Sequence, residues 1–277
     1  MSEIIYKYLP EERIGLIKEK GFFPNFALAC KPPSYQNDPF ECKITLKFNK
    51  KGYIEYLKNR NIEKIQIQGI VENQRYFSRK EIKKGIKEQV KEAQKDPNLE
   101  EKVKTKFLSL LEKNKDKWIG ITSFSKKNDN ECMWAHYASS HSGFVIGFNR
   151  DSEIFKIVDP EINGCGLRDV DYTDESSVLE FGDLRYLTPP KWSYYRKKEC
   201  WRYEDEVRFV VPLNILNGSD VFEFSPTVID CIIFGAKMKN EYKMLIKDFC
   251  NKNDINHIKY YQASIPLESN SISINRL

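Results

Sequence analysis

Along the 277-residue chain the spacing of apolar positions changes twice, and each change marks a different kind of element. The first 48 or so residues are short and punctuated. An apolar start at Ile4 to Tyr8 leads into a stretch that predicts a helix from about Pro10 to Lys20, stopped by Gly21. Phe22 to Cys30 reads as extended, and Lys31 to Phe40 as a proline-rich turn. From about 51 to 117 the apolar residues recur three or four apart, as at Ile82, Ile86 and Val90 and again at Val103, Phe107, Leu110 and Leu111. That is the period of amphipathic helices with one buried face. Asp96-Pro97-Asn98 divides them, because proline cannot continue a helix interior.

From Trp118 onward the period becomes that of strands. Trp118 to Ser125, Phe144 to Phe148, Glu206 to Val211, Val221 to Phe224 and Cys231 to Phe234 are short β-branched or aromatic segments bounded by Gly, Pro, Asn or Ser. Helices are expected at about Glu131 to Ser140 and Glu241 to Lys252. The order gives an α+β fold: a mixed, mainly antiparallel sheet with flanking helices and a charged helical insertion. It is read as a single domain over 1–277, with 51–117 as the insertion. Regular strand–helix alternation is absent, and so is any internal repeat.

Composition narrows the class. An apolar fraction of 40% with 17 Phe and 15 Tyr excludes a disordered chain. Forty-five Lys and Arg against 40 Asp and Glu leave a net charge of +5, too small to define a nucleic-acid binder. Between Arg79 and Lys104 nine basic side chains face six acidic ones, as on a solvated helix surface. No segment has the length of a membrane span, and the longest apolar runs, such as Val228 to Phe234, are strand-sized. Seven scattered Cys without a C-x-x-C pair fit reduced thiols, so a cytoplasmic protein without a membrane partner is expected.

Four segments could carry chemistry. In Asn37-Asp38-Pro39-Phe40-Glu41, Asn37 or Asp38 can close a turn with its side chain, and the turn is expected to direct Phe40 into the core. In the run from Asn130 to Phe144, Met133, Trp134 and Tyr137 share a helical stripe, with His136 at its edge and His141 beyond. Gly143 is expected to supply a positive φ where helix gives way to strand. The five-residue spacing of the two histidines does not suit helical metal ligands, and no metal is expected. Read as one strand, Trp201 to Val210 puts Arg202, Glu204, Glu206 and Arg208 on one face, and Trp201, Tyr203, Val207 and Phe209 on the other. A carboxylate flanked by guanidinium groups in a cleft can stabilise positive charge developing on a sugar, or act as a base. Finally, Ser123 and Ser125 share a face of the strand ending at Ser125. P-loop, dinucleotide-binding glycine and nucleophile-elbow motifs are absent.

Taken in order, these pieces resemble the bacterial domain-of-unknown-function family 2971 over nearly the whole chain. The matching residues are Tyr6-Lys7-Tyr8, Asn37-Asp38-Pro39-Phe40-Glu41, Ser123-Phe124-Ser125, Met133-Trp134-x-His136-Tyr137-Ala138 and His141-x-Gly143-Phe144. They continue with Val170-x-Tyr172, Lys191, Trp201-x-Tyr203-Glu204-x-Glu206-x-Arg208 and Ile232-Ile233-x-Gly235. Lys50 to Lys117 has no counterpart. An early aromatic or basic strand, a serine-bearing strand and a Glu-x-Glu strand are also similar in order to ADP-ribosyltransferases. That resemblance implies NAD as substrate and a protein or nucleic-acid acceptor, as in a toxin or phage-defence effector. Glu206 would be the catalytic acid and Glu204 its partner, with Ser123 or Ser125 supporting the dinucleotide and Tyr6 or Lys7 holding its ribose or phosphate. His136 has no counterpart in that superfamily and is a catalytic candidate from its place at the helix edge alone, and Asn37, Asp38, Trp134, Tyr137, His141 and Arg208 are candidate binding residues. The first-strand Arg or His of that superfamily is missing unless Lys7 or Arg13 replaces it. Two other classes fit the residues: a nucleic-acid-directed nuclease or binder using the basic helices, and a non-enzymatic small-ligand sensor or interaction module.

Overall fold

The computed structural model describes residues 3–14, 27–62, 65, 76–156, 165–181, 191–216 and 220–277. In chain order its regular elements are β1 (Ile4–Leu9), β2 (Ala27–Ala29), β3 (Thr45–Phe48), α1 (Lys50–Lys58), α2 (Arg79–Lys95), α3 (Leu99–Asn114), β4 (Ile119–Ser125) and α4 (Glu131–Tyr137). They continue with β5 (Phe144–Asn149), β6 (Gly166–Asp169), β7 (Asp171–Tyr172), β8 (Val178–Phe181), β9 (Arg196–Lys197), β10 (Glu206–Pro212), β11 (Val221–Glu223), β12 (Ile229–Phe234), α5 (Asn240–Lys252), β13 (Lys259–Ser264) and β14 (Ser273–Arg276). The helix expected over Pro10 to Lys20 is present at Glu12 to Ile14, and the rest of it lies outside the described residues. The chain packs as two compact units. Met1–Cys42, Asp116–Asp174 and Lys191–Leu277 form the first, and Lys43–Lys115 with Glu175–Pro190 the second.

The first unit is built on an eight-stranded sheet in the order β14-β13-β12-β5-β1-β4-β10-β6. Every pairing is antiparallel except β12 with β13. The fold is therefore α+β with a mainly antiparallel mixed sheet, as the strand-sized apolar runs predict. One face of the sheet carries Ile5, Phe124, Phe148 and Phe209 and packs on Ile246 and Cys250 of α5. Edge-to-face rings close that core, with Phe124 5.4 Å from Phe148 and 5.6 Å from Phe155. The opposite face divides. Towards β12 and β5 it is apolar, where Val145 and Ile233 meet Met133, Trp134 and Ala138 of α4 and its C-terminal end. Towards β4 and β10 it carries Ser123, Ser125, Glu206 and Arg208, because pairing sets Glu206 opposite Ser125 and Arg208 opposite Ser123. Alternation along a strand then fixes all four on one side.

The junction after α4 departs from expectation. The helix ends at Tyr137, and Ser139, Ser140 and His141 take positive φ values of 46°, 51° and 75°. Gly143 is not among the positive-φ residues. It is required instead by close approach: a side-chain carbon there would lie 2.2 Å from the Leu9 carbonyl oxygen.

In the second unit α2 starts with a capping box. Ser78 Oγ accepts from Glu81 N at 3.2 Å, and Ser78 N donates back to Glu81 Oε2 at 2.8 Å. Ile82 and Ala93 are the buried positions of α2, and Leu99, Phe107 and Leu111 those of α3. The helices break at Asp96 to Asn98, as Pro97 requires, and β3 pairs in parallel with β8. Among the described residues no helix is long and apolar enough to cross a membrane.

Candidate functional site

The strand expected from Trp201 to Val210 is in fact two elements. Glu199 to Glu204 form a 3₁₀ turn, Asp205 takes a left-handed φ of 44°, and only from Glu206 does the chain run as β10. Left-handed backbone cannot extend a ladder, so Arg202 and Glu204 do not share the strand face of Glu206 and Arg208. The turn still brings Glu204 to the same place. Ser125 Oγ donates to the Glu204 carbonyl at 2.6 Å and fixes the turn against β4.

Lys197, on β9, is the centre of the resulting cluster. Its Nζ lies 2.5 Å from Glu204 Oε2, 3.1 Å from Glu206 Oε2 and 3.2 Å from Asn37 Oδ1. Arg208 binds Glu206 in the fork geometry typical of a guanidinium, Nε to Oε1 at 2.8 Å and Nη2 to Oε2 at 3.1 Å. Its Nη1 donates to the Tyr194 carbonyl at 2.7 Å. Arg208 Nη2 also forms an ion pair with Glu41. Tyr172 Oη accepts from Glu206 N at 2.7 Å. Three carboxylates and two cations are thus gathered, with every one of the five side chains no more than 5% exposed.

Glu204 is itself buried and links the cluster to groups nearer the surface. Its Oε1 accepts from the half-buried Tyr137 hydroxyl at 2.6 Å and from the exposed Asn37 amide at 3.3 Å. Asn37 Nδ2 also donates to the Tyr137 oxygen. Trp201 lies over Lys197, with the ammonium 4.9 Å from the ring centroid. Phe40 is not turned into the core: it is 52% exposed, with Lys198 Nζ 3.6 Å from its centroid. Asp38 closes its own turn by accepting from Phe40 N at 2.9 Å, as the Asn-Asp-Pro sequence predicts.

These contacts set the protonation states. Burial would raise the Glu206 carboxyl, but the Arg208 guanidinium, Lys197 and the Ser123 hydroxyl outweigh it and hold the group well below the usual carboxylate range. Burial lowers Lys197, yet Glu206, Glu204 and Glu41 together raise it. Glu206 and Glu41 raise Arg208 against its burial. Burial pushes the Tyr137 phenol up, and the adjacent Glu204 pushes it further. Burial also pushes the Glu41 carboxyl up to about 7, with Arg208 opposing.

Of the candidates named from the sequence, Glu204, Glu206, Arg208, Asn37, Tyr137, Ser123 and Ser125 come together, with Asp38 shaping the loop that delivers Asn37. Tyr6 pairs with Ser125 across β1 and β4, and burial raises its phenol to about 12. Lys7 points to the opposite side of the sheet, donates to the Ser123 carbonyl at 2.8 Å, and is lowered to about 8 by burial. Trp134 is fully buried, edge-on to Tyr8 at 5.4 Å, with its Nε1 donating to the Asn128 carbonyl at 2.7 Å. His136 is exposed, its ring 6.4 Å from that of Tyr137. His141 stacks on Trp134 at 6.5 Å, and burial lowers its pKa. Sequence reasoning missed Lys197 and Tyr194, named Glu41 only beside Asn37 and Asp38 as a candidate without a specified role, and gave Tyr172 none. Among the described residues no group of three His, Cys, Asp or Glu is arranged to hold a metal ion.

No curated protein and no solved structure matches the chain significantly. The model of one family, described as a protein of unknown function (DUF2971), matches residues 133–209, from within α4 into β10, so the similarity is established for that stretch and not for the full length.

Proposed function

We propose that the first unit binds NAD and transfers its ADP-ribosyl group, with Glu204 facing the substrate and Lys197, Glu206 and Arg208 as the scaffold behind it. The observation that carries this reading is the position of Glu204. It is a carboxylate paired with a buried ammonium, and its outer oxygen is bonded to the exposed Asn37 and the half-buried Tyr137. Negative charge so placed stabilises a sugar that gains positive charge as its bond to a base breaks. The C–N bond to nicotinamide breaks and the ring keeps the electron pair. An acceptor oxygen or nitrogen then bonds to the anomeric carbon and gives its proton to a carboxylate or to solvent. Glu206, given the acid's part by sequence order, is held by Arg208 and Lys197, whereas Glu204 is the carboxylate bonded to Asn37 and Tyr137, so the outer role passes to Glu204. Folding alone does not call for such a cluster, since buried ion networks rarely stabilise more than apolar packing of equal volume, and perturbed titratable groups concentrate at functional sites.

The test is nicotinamide release from NAD, with water, small guanidines and a cell extract offered as acceptors. Release by the wild type that falls at least about 100-fold in Glu204→Gln supports the reading. Equal release from both proteins, or none with any acceptor, overturns it. The saturation of Glu206 favours a second reading, in which the site binds a nucleotide without turnover. NAD or ADP-ribose would then raise the melting temperature with no nicotinamide formed.

A further inference from the structure

Charge balance at the buried network leaves one group over. Lys197 and Arg208 supply two positive charges, and Glu204 and Glu206, each in direct contact with one or both of them, supply two negative ones. Glu41 is a third carboxyl, its side chain 2% exposed. One oxygen touches Arg208, but neither receives an aligned hydrogen bond from any described residue. Three of the five Arg208 N–H groups are turned to Glu206 and to the Tyr194 carbonyl, and Nη2 makes the ion pair with Glu41. An ionised Glu41 would therefore be an unbalanced buried charge, whereas its protonated form is not.

Glu41 sits at the end of a segment that is mostly at the surface, with Pro33 and Asp38 buried. From Pro33 to Phe40 the chain makes one short 3₁₀ turn and pairs with no strand, and Ser34, Tyr35, Asn37, Pro39 and Phe40 are exposed. Its attachments include Ser34 N to Asp116, Tyr35 beneath Lys31, Asn37 to Tyr137, Glu204 and Lys197, Phe40 beneath Lys198, and Glu41 to Arg208. Cys42, directly after it, takes a positive φ of 56°, a strained conformation for a residue with a side chain.

We infer that residues 33–41 form a strap over the Lys197–Glu204–Glu206–Arg208 network, closed when Glu41 carries a proton and lifted when Glu41 is ionised. The charged groups facing Glu41 are Arg208 and Glu206 from β10 and Lys197 from β9, with Glu204 behind Lys197. Burial, the largest influence on Glu41, outweighs Arg208 and places the carboxyl near 7 against an ordinary value of 4.5. The closed form thus holds its proton more tightly than the open form. Its advantage is complete below about pH 4.5 and is lost as pH rises through 7. Between pH 6 and pH 8 the ratio of closed to open strap falls about tenfold, as these two values require. The device gates the site proposed above, but it stands or falls without reference to NAD, because its test reads the strap and not turnover.

The experiment is hydrogen–deuterium exchange of peptides covering 33–42 in the full-length protein at pH 6 and pH 8, corrected for intrinsic exchange, for wild type and Glu41→Gln. Protection that falls about tenfold in the wild type and stays constant in the permanently neutral Gln variant supports the strap. Unchanged protection in the wild type, or the same fall in Glu41→Gln, overturns it. Should the variant not fold, the Glu41 carboxyl is titrated directly in the wild type by carbon NMR. A midpoint between pH 6 and 8 supports the strap, and full ionisation at pH 6 overturns it.

Discussion

Two ends of one sheet face are built from opposite materials. At the β12–β5 end, Val145 and Ile233 pack on Trp134 and Met133, and burial itself stabilises the contact. At the β4–β10 end the same face holds Glu206 and Arg208 with Lys197, Glu204 and Glu41 over them. There each ion's lost hydration must be offset by its partners, so the network is intact as a set and fragile one member at a time. Alternation of side chains turns residues towards a face but does not decide what that face is for. The apolar end explains why the unit folds, and the ionic end needs a reason beyond folding.

The difference can be attacked directly. All four tryptophans lie in the first unit, so their fluorescence during urea unfolding reports on that unit. Arg208→Met leaves Glu206 and Glu41 without their guanidinium and is expected to cost about 3–5 kcal/mol. A variant as stable as wild type would mean that the network is not a buried ionic unit. The triple change Glu41→Gln, Glu206→Met, Arg208→Leu removes charges together and should lose less than Arg208→Met alone. If it loses more, the ionic end stabilises the fold in its own right and the contrast fails. Tyr137→Phe removes one hydrogen bond to Glu204 and should cost about 1 kcal/mol. Smallest of all, Lys104→Ala on α3 breaks a surface pair with Glu100 at 2.6 Å, and circular dichroism during unfolding should register less than about 0.5 kcal/mol.

Much of the frame was legible from period alone. Period two over Ile119–Ser125 and Glu206–Pro212, and period 3.6 on either side of Pro97, are local signals that tertiary packing did not override. Glu204, Glu206 and Arg208 were found because they lie close together in sequence. Their geometry was misread at Asp205, whose left-handed backbone leaves no mark in an acidic run that reads equally well as strand. Lys197 was invisible for another reason: Arg196-Lys197-Lys198 looks like a solvated cationic patch, and only the pairing of β9 with β7 and the returning turn bury its middle member. Glu41 stood in a motif noticed for its turn. What made it matter, an arginine 167 positions later, is a long-range fact. The glycine at 143 was correctly singled out, but the reason was the Leu9 backbone above it and not its own dihedral angle.

The place of β1 in the sheet has a kinetic consequence. Ile4–Leu9 is paired on one side with β5 and on the other with β4, neither of which begins before Ile119. During synthesis the first strand therefore waits, apolar and unpaired, while more than a hundred residues including the whole of α1, α2 and α3 are made. Closing a loop of that length before any contact rewards it gives a high contact order and slow folding. The expected hazard is pairing of the waiting Ile-Ile-Tyr-Lys-Tyr-Leu segment with another chain, and soluble yield should depend more on synthesis rate and chaperone supply than on final stability.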